Sequence, residues 1–224
     1  MPGAVLNVYS ELHEFEEMAF TLHMLREGDL FIDVGSNIGS YAILAAAAEA
    51  DVIAFEPGEP FSDLERNVRV NGLSIECHKA AVGAQSGMLR FTIGLDCINH
   101  AAVEGEKFVQ VPVVRLDDVI SRAPTLIKVD VEGYEAAVVE GGTKTFSSAL
   151  AVIMELNGQG ARYGHDEDRI LEQMKQWGFS IVGYDPMTRA LVAPSIGGNK
   201  IFVRGDVSER LRTARKYRTR NHSI

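Results

Sequence analysis

"FIDVGSNIGSYAILAAAAEADVIAFEP" occupies residues 31–57. An apolar run gives way to a loop with two glycines, then an alanine-rich stretch, then a second apolar run that closes on an acid. That order predicts strand, turn, helix and strand, a unit whose turn can cradle a nucleotide. Within Gly35-Ser36-Asn37-Ile38-Gly39 the glycines let the backbone come close to a ligand, and the helix start presents unpaired N–H groups. Asn37 stands where the dinucleotide fingerprint has its middle glycine. Asparagine tolerates positive φ, so the turn survives the change. Glu56, at the end of the second strand, can accept both hydroxyls of a ribose. These features alone leave NAD and other adenosine ligands open.

Asp33 separates them. It sits at the carboxyl end of the first strand, two residues before the first glycine, where an anion is unfavourable beside a pyrophosphate. It suits a ligand with an ammonium group. S-adenosylmethionine carries an adenosine, a sulfonium and an amino-acid end, and no phosphate.

Around this unit helix and strand signals alternate, which predicts an α/β sheet of parallel strands in one domain over residues 1–224. Residues 1–28 form an N-terminal helical segment, with Phe15, Met18, Ala19, Leu22 and Leu25 on one face. "SIECHKAAVG" reads as a third strand, "TLIKVDVEGYE" as a fourth and "LAVIMELNG" as a fifth. "FSIVGYD" and "KIFVRG" read as a hairpin-like pair closing one edge. Residues 87–116 break the rhythm: two β segments flank a loop, an insertion suited to shaping an acceptor pocket.

The chain has 224 residues, 46% of them hydrophobic, with a net charge of −9. From Ser208 onward six basic residues face one acid, leaving 16 basic and 30 acidic residues in the first 207. Such a body is a poor nucleic-acid binder. The basic tail, residues 208–224, is expected to be a solvated, frayed helix. No apolar run is long enough to span a membrane, and the N-terminus shows no signal-peptide pattern, so a cytoplasmic protein is expected. Cys77 and Cys97 form no C-x-x-C pair and read as buried thiols.

"DVGSNIGSY", "AFEP", "VPVVRLDDV", "IKVDVEGYE" and "MELN" together resemble the FkbM-type family of S-adenosylmethionine-dependent methyltransferases, over roughly Gly28 to Asn157. The family's acid-x-Gly-x-Asn-x-Gly motif matches Asp33, Gly35, Asn37 and Gly39, and its strand-two acid matches Glu56. The resemblance implies a class I methyltransferase fold, a Rossmann-like three-layer sandwich. Its sheet is seven-stranded and mostly parallel, with the last strand antiparallel. It also implies O-methylation of a hydroxyl on a sugar or secondary metabolite, with a glycoside or polyketide-like small molecule as acceptor.

Ligands bind outside the carboxyl ends of parallel strands, which gathers Asp33, Glu56, Asp130 and Glu155 in one crevice. Methyl transfer needs an aligned acceptor and a group to take its proton. Asp130 is the first candidate, with Glu132 next; the alternative for Asp130 is capping the helix that follows. Lys128 shares a face with Asp130 and can pair with it. His100, in the insertion loop, is a candidate general base. Ser36, Pro57, Phe61, Ala80 and Ala81 complete the expected cofactor contacts. Glu14 and Glu16 can reach the cofactor's amino end or simply form a negative first turn. Asp130, Glu155 and Asn157 occupy places where some small O-methyltransferases of this fold hold Mg²⁺. An NAD-type oxidoreductase and a non-catalytic cofactor-binding module stand as the competing functions.

Overall fold

The computed structural model describes residues 12, 14–94, 99–194 and 198–217. In chain order, α1 (Phe15–Met24), β1 (Leu30–Val34), α2 (Ser40–Ala47), β2 (Asp51–Phe55), α3 (Phe61–Val70) and β3 (Glu76–His78) form the first half. Then come β4 (Ala81–Val82), β5 (Gly87–Thr92), β6 (Phe108–Val114), α4 (Leu116–Val119), β7 (Leu126–Val129), α5 (Glu135–Gly141) and α6 (Thr143–Ser148). The rest is β8 (Ala151–Glu155), a 3-10 turn at Gln159–Tyr163, α7 (Glu167–Gln176), β9 (Phe179–Asp185), β10 (Ala190–Val192), β11 (Asn199–Arg204) and α8 (Ser208–Arg212).

Eight strands make the main sheet in the order β10-β9-β11-β8-β7-β1-β2-β3. β1 pairs in parallel with β2 on one side and β7 on the other, so the strand order reverses across β1. Strands β1 and β7 are buried throughout, and side-chain alternation sends Phe31 and Leu126 to one core while Ile32 and Ile127 enter the other. Burial on both faces is what makes these strands apolar without interruption. The first core lies beneath α1 and α2, the second beneath α5, α6 and α7.

The sheet is mostly parallel as expected, and β11 is antiparallel to both β8 and β9. The late strands do pair, yet β11 lies inside the sheet and the edge belongs to β10, an eighth strand. The expected third strand is split. Ala80 N donates to the His78 carbonyl, the chain turns, and Ala81–Val82 leave the main sheet to pair with β6. There β4, β6 and β5 form a small second sheet whose inner face, Leu89, Phe91, Val111 and Val113, makes its own apolar cluster.

The described part of the C-terminal segment is docked rather than frayed. Leu211 and Ala214 are buried, and the Arg210 guanidinium pairs with Asp29 and donates to the Met24 carbonyl. Cys77 is a half-buried free thiol, and Cys97 lies outside the described residues. Among the described residues no helix is long and apolar enough to cross a membrane.

Candidate active site

Where a parallel sheet reverses its strand order, two diverging connections leave a crevice at the strands' carboxyl ends. Here those connections follow β1 and β7, and a cavity of about 420 Å³ opens between them. Pockets of that size are typical of small-ligand sites.

The β1 loop is folded by its own hydrogen bonds. The Gly35 and Ser36 amides both donate to the Phe55 carbonyl at 3.0 Å, and the Gly39 amide donates to the Ser36 carbonyl. The Asn37 amide donates to Glu56 Oε2 at 2.9 Å, while Glu56 Oε1 accepts from the Gly58 amide at 2.7 Å. Asn37 has φ 51°, the left-handed conformation its side chain was expected to tolerate. Four loop amides are therefore committed within the protein, and the groups facing the cavity beside them are carboxylates. This is not a cradle for a pyrophosphate, which needs free donors.

Gly35 has φ +81°, and a Cβ there would stand 1.8 Å from the Asp130 carbonyl oxygen. Only glycine lets the two loops touch. At Gly39 a Cβ would instead meet Leu64 of α3 at 2.5 Å, so this glycine seats a helix and does not line the cavity. Ser36 is buried, its hydroxyl donating to the Asp33 carbonyl.

Asp33 is 1% exposed, and neither carboxylate oxygen has a hydrogen-bond partner among the described residues. Burial pushes its pKa up to about 6, against the pull of Lys128. A buried, unpartnered anion lining a cavity is costly unless a ligand compensates it. The neighbouring strand supplies one cation. Lys128, the register partner of Asp33, is 4% exposed and donates from Nζ to Asp130 Oδ2 at 2.8 Å. Burial alone would lower its pKa, but Asp130 and Asp33 reverse this and raise it. Its ammonium also lies 4.7 Å from the Tyr41 ring centre, and the Tyr41 hydroxyl donates to Glu14. Glu14 is thus a cavity carboxylate, while Glu16 is not.

The β7 loop holds Asp130, Val131 and Glu132 along the cavity. Asp130 does not cap the next helix, which begins at Glu135. Instead buried Glu135 Oε1 accepts from the Val131 and Gly133 amides, bracing the loop. Glu132 sits at φ 54°, and Gln159 Nε2 donates to its Oε2 at 2.6 Å. Asp130, Glu132 and Glu155 each bring an oxygen within 4.8 Å of the others. Burial, and then the Asp130 charge, push Glu155 up to about 8.

Several expected residues fall elsewhere. Asn157 lies outside the cavity lining; its Oδ1 accepts from the Gln159 amide. With Asn157 outside the cavity lining and Lys128 already paired with Asp130, the donor set expected for Mg²⁺ is not assembled. His100 is buried and does not line the cavity; its Nε2 lies 3.1 Å from Glu106 Oε1. Phe61 packs into the core below α2, leaving Pro57 and Pro60 at the cavity wall. Ala80 and Ala81 line the cavity as expected. Leu89, Phe91, Tyr41 and Tyr134 also line it and were not anticipated. Alternation along "GMLRFT" places Leu89 and Phe91 on one face, the one available signal for them.

Residues 33–181 match the model of the methyltransferase FkbM domain. The chain belongs to the FkbM methyltransferase family. The resemblance carried by the five motifs is therefore borne out. Among curated relatives, hexuronic acid methyltransferase AglP of Haloferax volcanii is 29% identical over 153 residues, covering 64% of this chain. This chain matches only 62% of that relative's length. Among solved structures, the methyltransferase FkbM of Methylobacillus flagellatus aligns with a TM-score of 0.54 at 17% identity, over 80% of this chain and 44% of that one. A candidate methyltransferase of Streptococcus mutans, solved with SAH, aligns at 0.51 and 10% identity, over 84% of this chain and 94% of its own. At those identities the structures speak for the fold, and it is the class I methyltransferase fold of the FkbM family.

Proposed function

We propose that this FkbM-family chain is an S-adenosylmethionine-dependent methyltransferase that modifies a hydroxyl of a sugar or related metabolite. One observation carries the reading: a buried Asp33 carboxylate without a hydrogen-bond partner among the described residues, beside a glycine loop with four of its amides already spent. That pairing favours a cationic, phosphate-free adenosine ligand over a dinucleotide, so the NAD-type oxidoreductase is not favoured. The curated relative, named for hexuronic acid, supports a sugar acceptor.

S-adenosylmethionine, when bound, supplies an electrophilic methyl carbon on a sulfonium. Asp33 would hold its ammonium and Glu56 its ribose hydroxyls, with Ala80, Ala81 and Pro57 flanking the adenine. Asp130, paired with Lys128, presents a carboxylate oxygen that can accept a hydrogen bond from the acceptor hydroxyl, orienting it. Glu155, whose carboxyl is pushed up to about 8 by burial and by Asp130, provides a nearby group able to exchange a proton near neutral pH.

Thermal unfolding with S-adenosylmethionine or NAD tests the cofactor, since only a ligand of the native state raises the midpoint. Stabilisation by NAD and not by S-adenosylmethionine refutes the proposal. Asp130→Asn is expected to keep cofactor binding and lose turnover. Binding without turnover in the unmodified protein, across a broad acceptor panel, would favour the non-catalytic module.

A further inference from the structure

Among the described residues eight acidic side chains line the cavity, from Glu14, Asp33, Glu56, Glu59, Asp63, Asp130, Glu132 and Glu155, against one cation, Lys128. That ammonium is spent: it is buried, bonded to Asp130 at 2.8 Å and capped by the Tyr41 ring. Arg162, whose field falls on Glu106 and Glu132, is exposed and outside the lining. Residues 95–98 of the insertion, Leu-Asp-Cys-Ile, add an acid and no base to the sequence.

From this imbalance, and resting on the methyltransferase reading, we infer that the acceptor is an uncharged glycoside. Glu132 enforces the choice by repelling sugars that carry a carboxylate. It sits beside Asp130 and Glu155, the three bringing oxygens within 4.8 Å of one another. Glu132 is held in place by Gln159 and by a loop that Glu135 braces. A carboxylate accepts hydrogen bonds and donates none, so this wall suits sugar hydroxyls. An acceptor carboxylate placed there would lose water and meet like charge, with no free cation among the described lining residues to pair it. Burial, and then that negative potential, make the Glu155 carboxyl hold its proton, so the repulsion falls to Glu132. The chain thus parts from its curated relative, named for hexuronic acid.

The test compares matched pairs differing only at C6, such as a nitrophenyl glucoside with the glucuronoside and the galactoside with the galacturonoside. Methyl transfer from labelled S-adenosylmethionine and calorimetric binding in the presence of S-adenosylhomocysteine are both read. Hexosides are expected to bind and to be methylated, with kcat/KM higher than for their uronic partners by roughly a hundredfold, the scale of like-charge rejection at a desolvated site. Glu132→Gln should narrow that ratio while leaving the S-adenosylmethionine Kd unchanged; Glu132→Ala, which removes the same charge, serves if that variant fails to fold. Equal or better use of the uronic partners, or binding of none of the neutral glycosides, overturns the inference. Failure of S-adenosylmethionine itself to bind would instead strike at the methyltransferase reading.

Discussion

Asp33 and Lys128 face one another as register partners on adjacent parallel strands, yet the Lys128 ammonium bonds Asp130, two residues further along its own strand. The cation that crosses beneath the crevice thus neutralises one carboxylate directly and leaves the other without a hydrogen bond. The site is built asymmetrically around that one lysine.

Replacing the lysine should expose this dependence. Lys128→Met leaves Asp33 and Asp130 without their nearest positive charge and is expected to cost about 3 kcal/mol, the scale for breaking a buried pair. Adding Asp130→Asn should recover part of that loss, because the orphaned charge is then removed. Urea unfolding of the single and double variants measures the coupling. Independent, additive effects would contradict the pairing.

The unpartnered carboxylate is expected to trade stability for binding. Asp33→Asn keeps the shape and removes a buried charge, so the ligand-free protein should be as stable as the parent or more so. The rise in unfolding midpoint given by S-adenosylmethionine should shrink sharply. A variant that is both less stable and fully responsive to the cofactor would show that Asp33 has another role.

Loop contact rests on a missing side chain. Gly35→Ala combines φ +81° with a Cβ 1.8 Å from the Asp130 carbonyl oxygen. A loss of at least about 3 kcal/mol is expected from strain and overlap together. Gly72 has φ +63° and nothing within 4 Å of its would-be Cβ, so Gly72→Ala isolates the backbone cost. That cost is roughly 1–2 kcal/mol. Equal losses at the two glycines would show that the close approach of the loops adds nothing to the backbone strain.

Acid groups raised by burial give the ligand-free protein a defined pH response. Asp33 is pushed up to about 6, Glu135 to about 7 and Glu155 to about 8, each by burial first. Their unfolded values lie near 4. Between those limits the native chain binds more protons than the unfolded chain, so stability falls as pH rises. The contribution is fully present below about pH 4 and lost above about pH 8 for these groups. Urea midpoints across that window should decline; a flat or climbing profile would contradict the burial of these carboxyls. A cationic ligand needs Asp33 ionised, so S-adenosylmethionine affinity should rise as pH climbs through about 6.

Much of the frame was legible in residues alone. The uninterrupted apolar runs at Leu30–Val34 and Leu126–Val129 announce strands buried on both faces, and they are the centre of the sheet. Gly35 and Asn37 announce a turn with left-handed positions, and both have positive φ. The insertion's two β segments were also visible, because alternation and turn residues are local signals. The break at Lys79 was not visible: "SIECHKAAV" reads as one strand, and only competition between two sheets divides it.

Sequence by itself determined the elements, the nucleotide-type turn and the carboxylates at the strand ends, since each follows from neighbours a few residues away. Tertiary structure decided what those groups do to one another. Glu132 joins Asp130 and Glu155 while Asn157 stays outside the cavity lining, His100 turns to Glu106, and Phe61 joins the core. Partnering, burial and field strength depend on distances between segments far apart in the chain, and folding is what sets those distances.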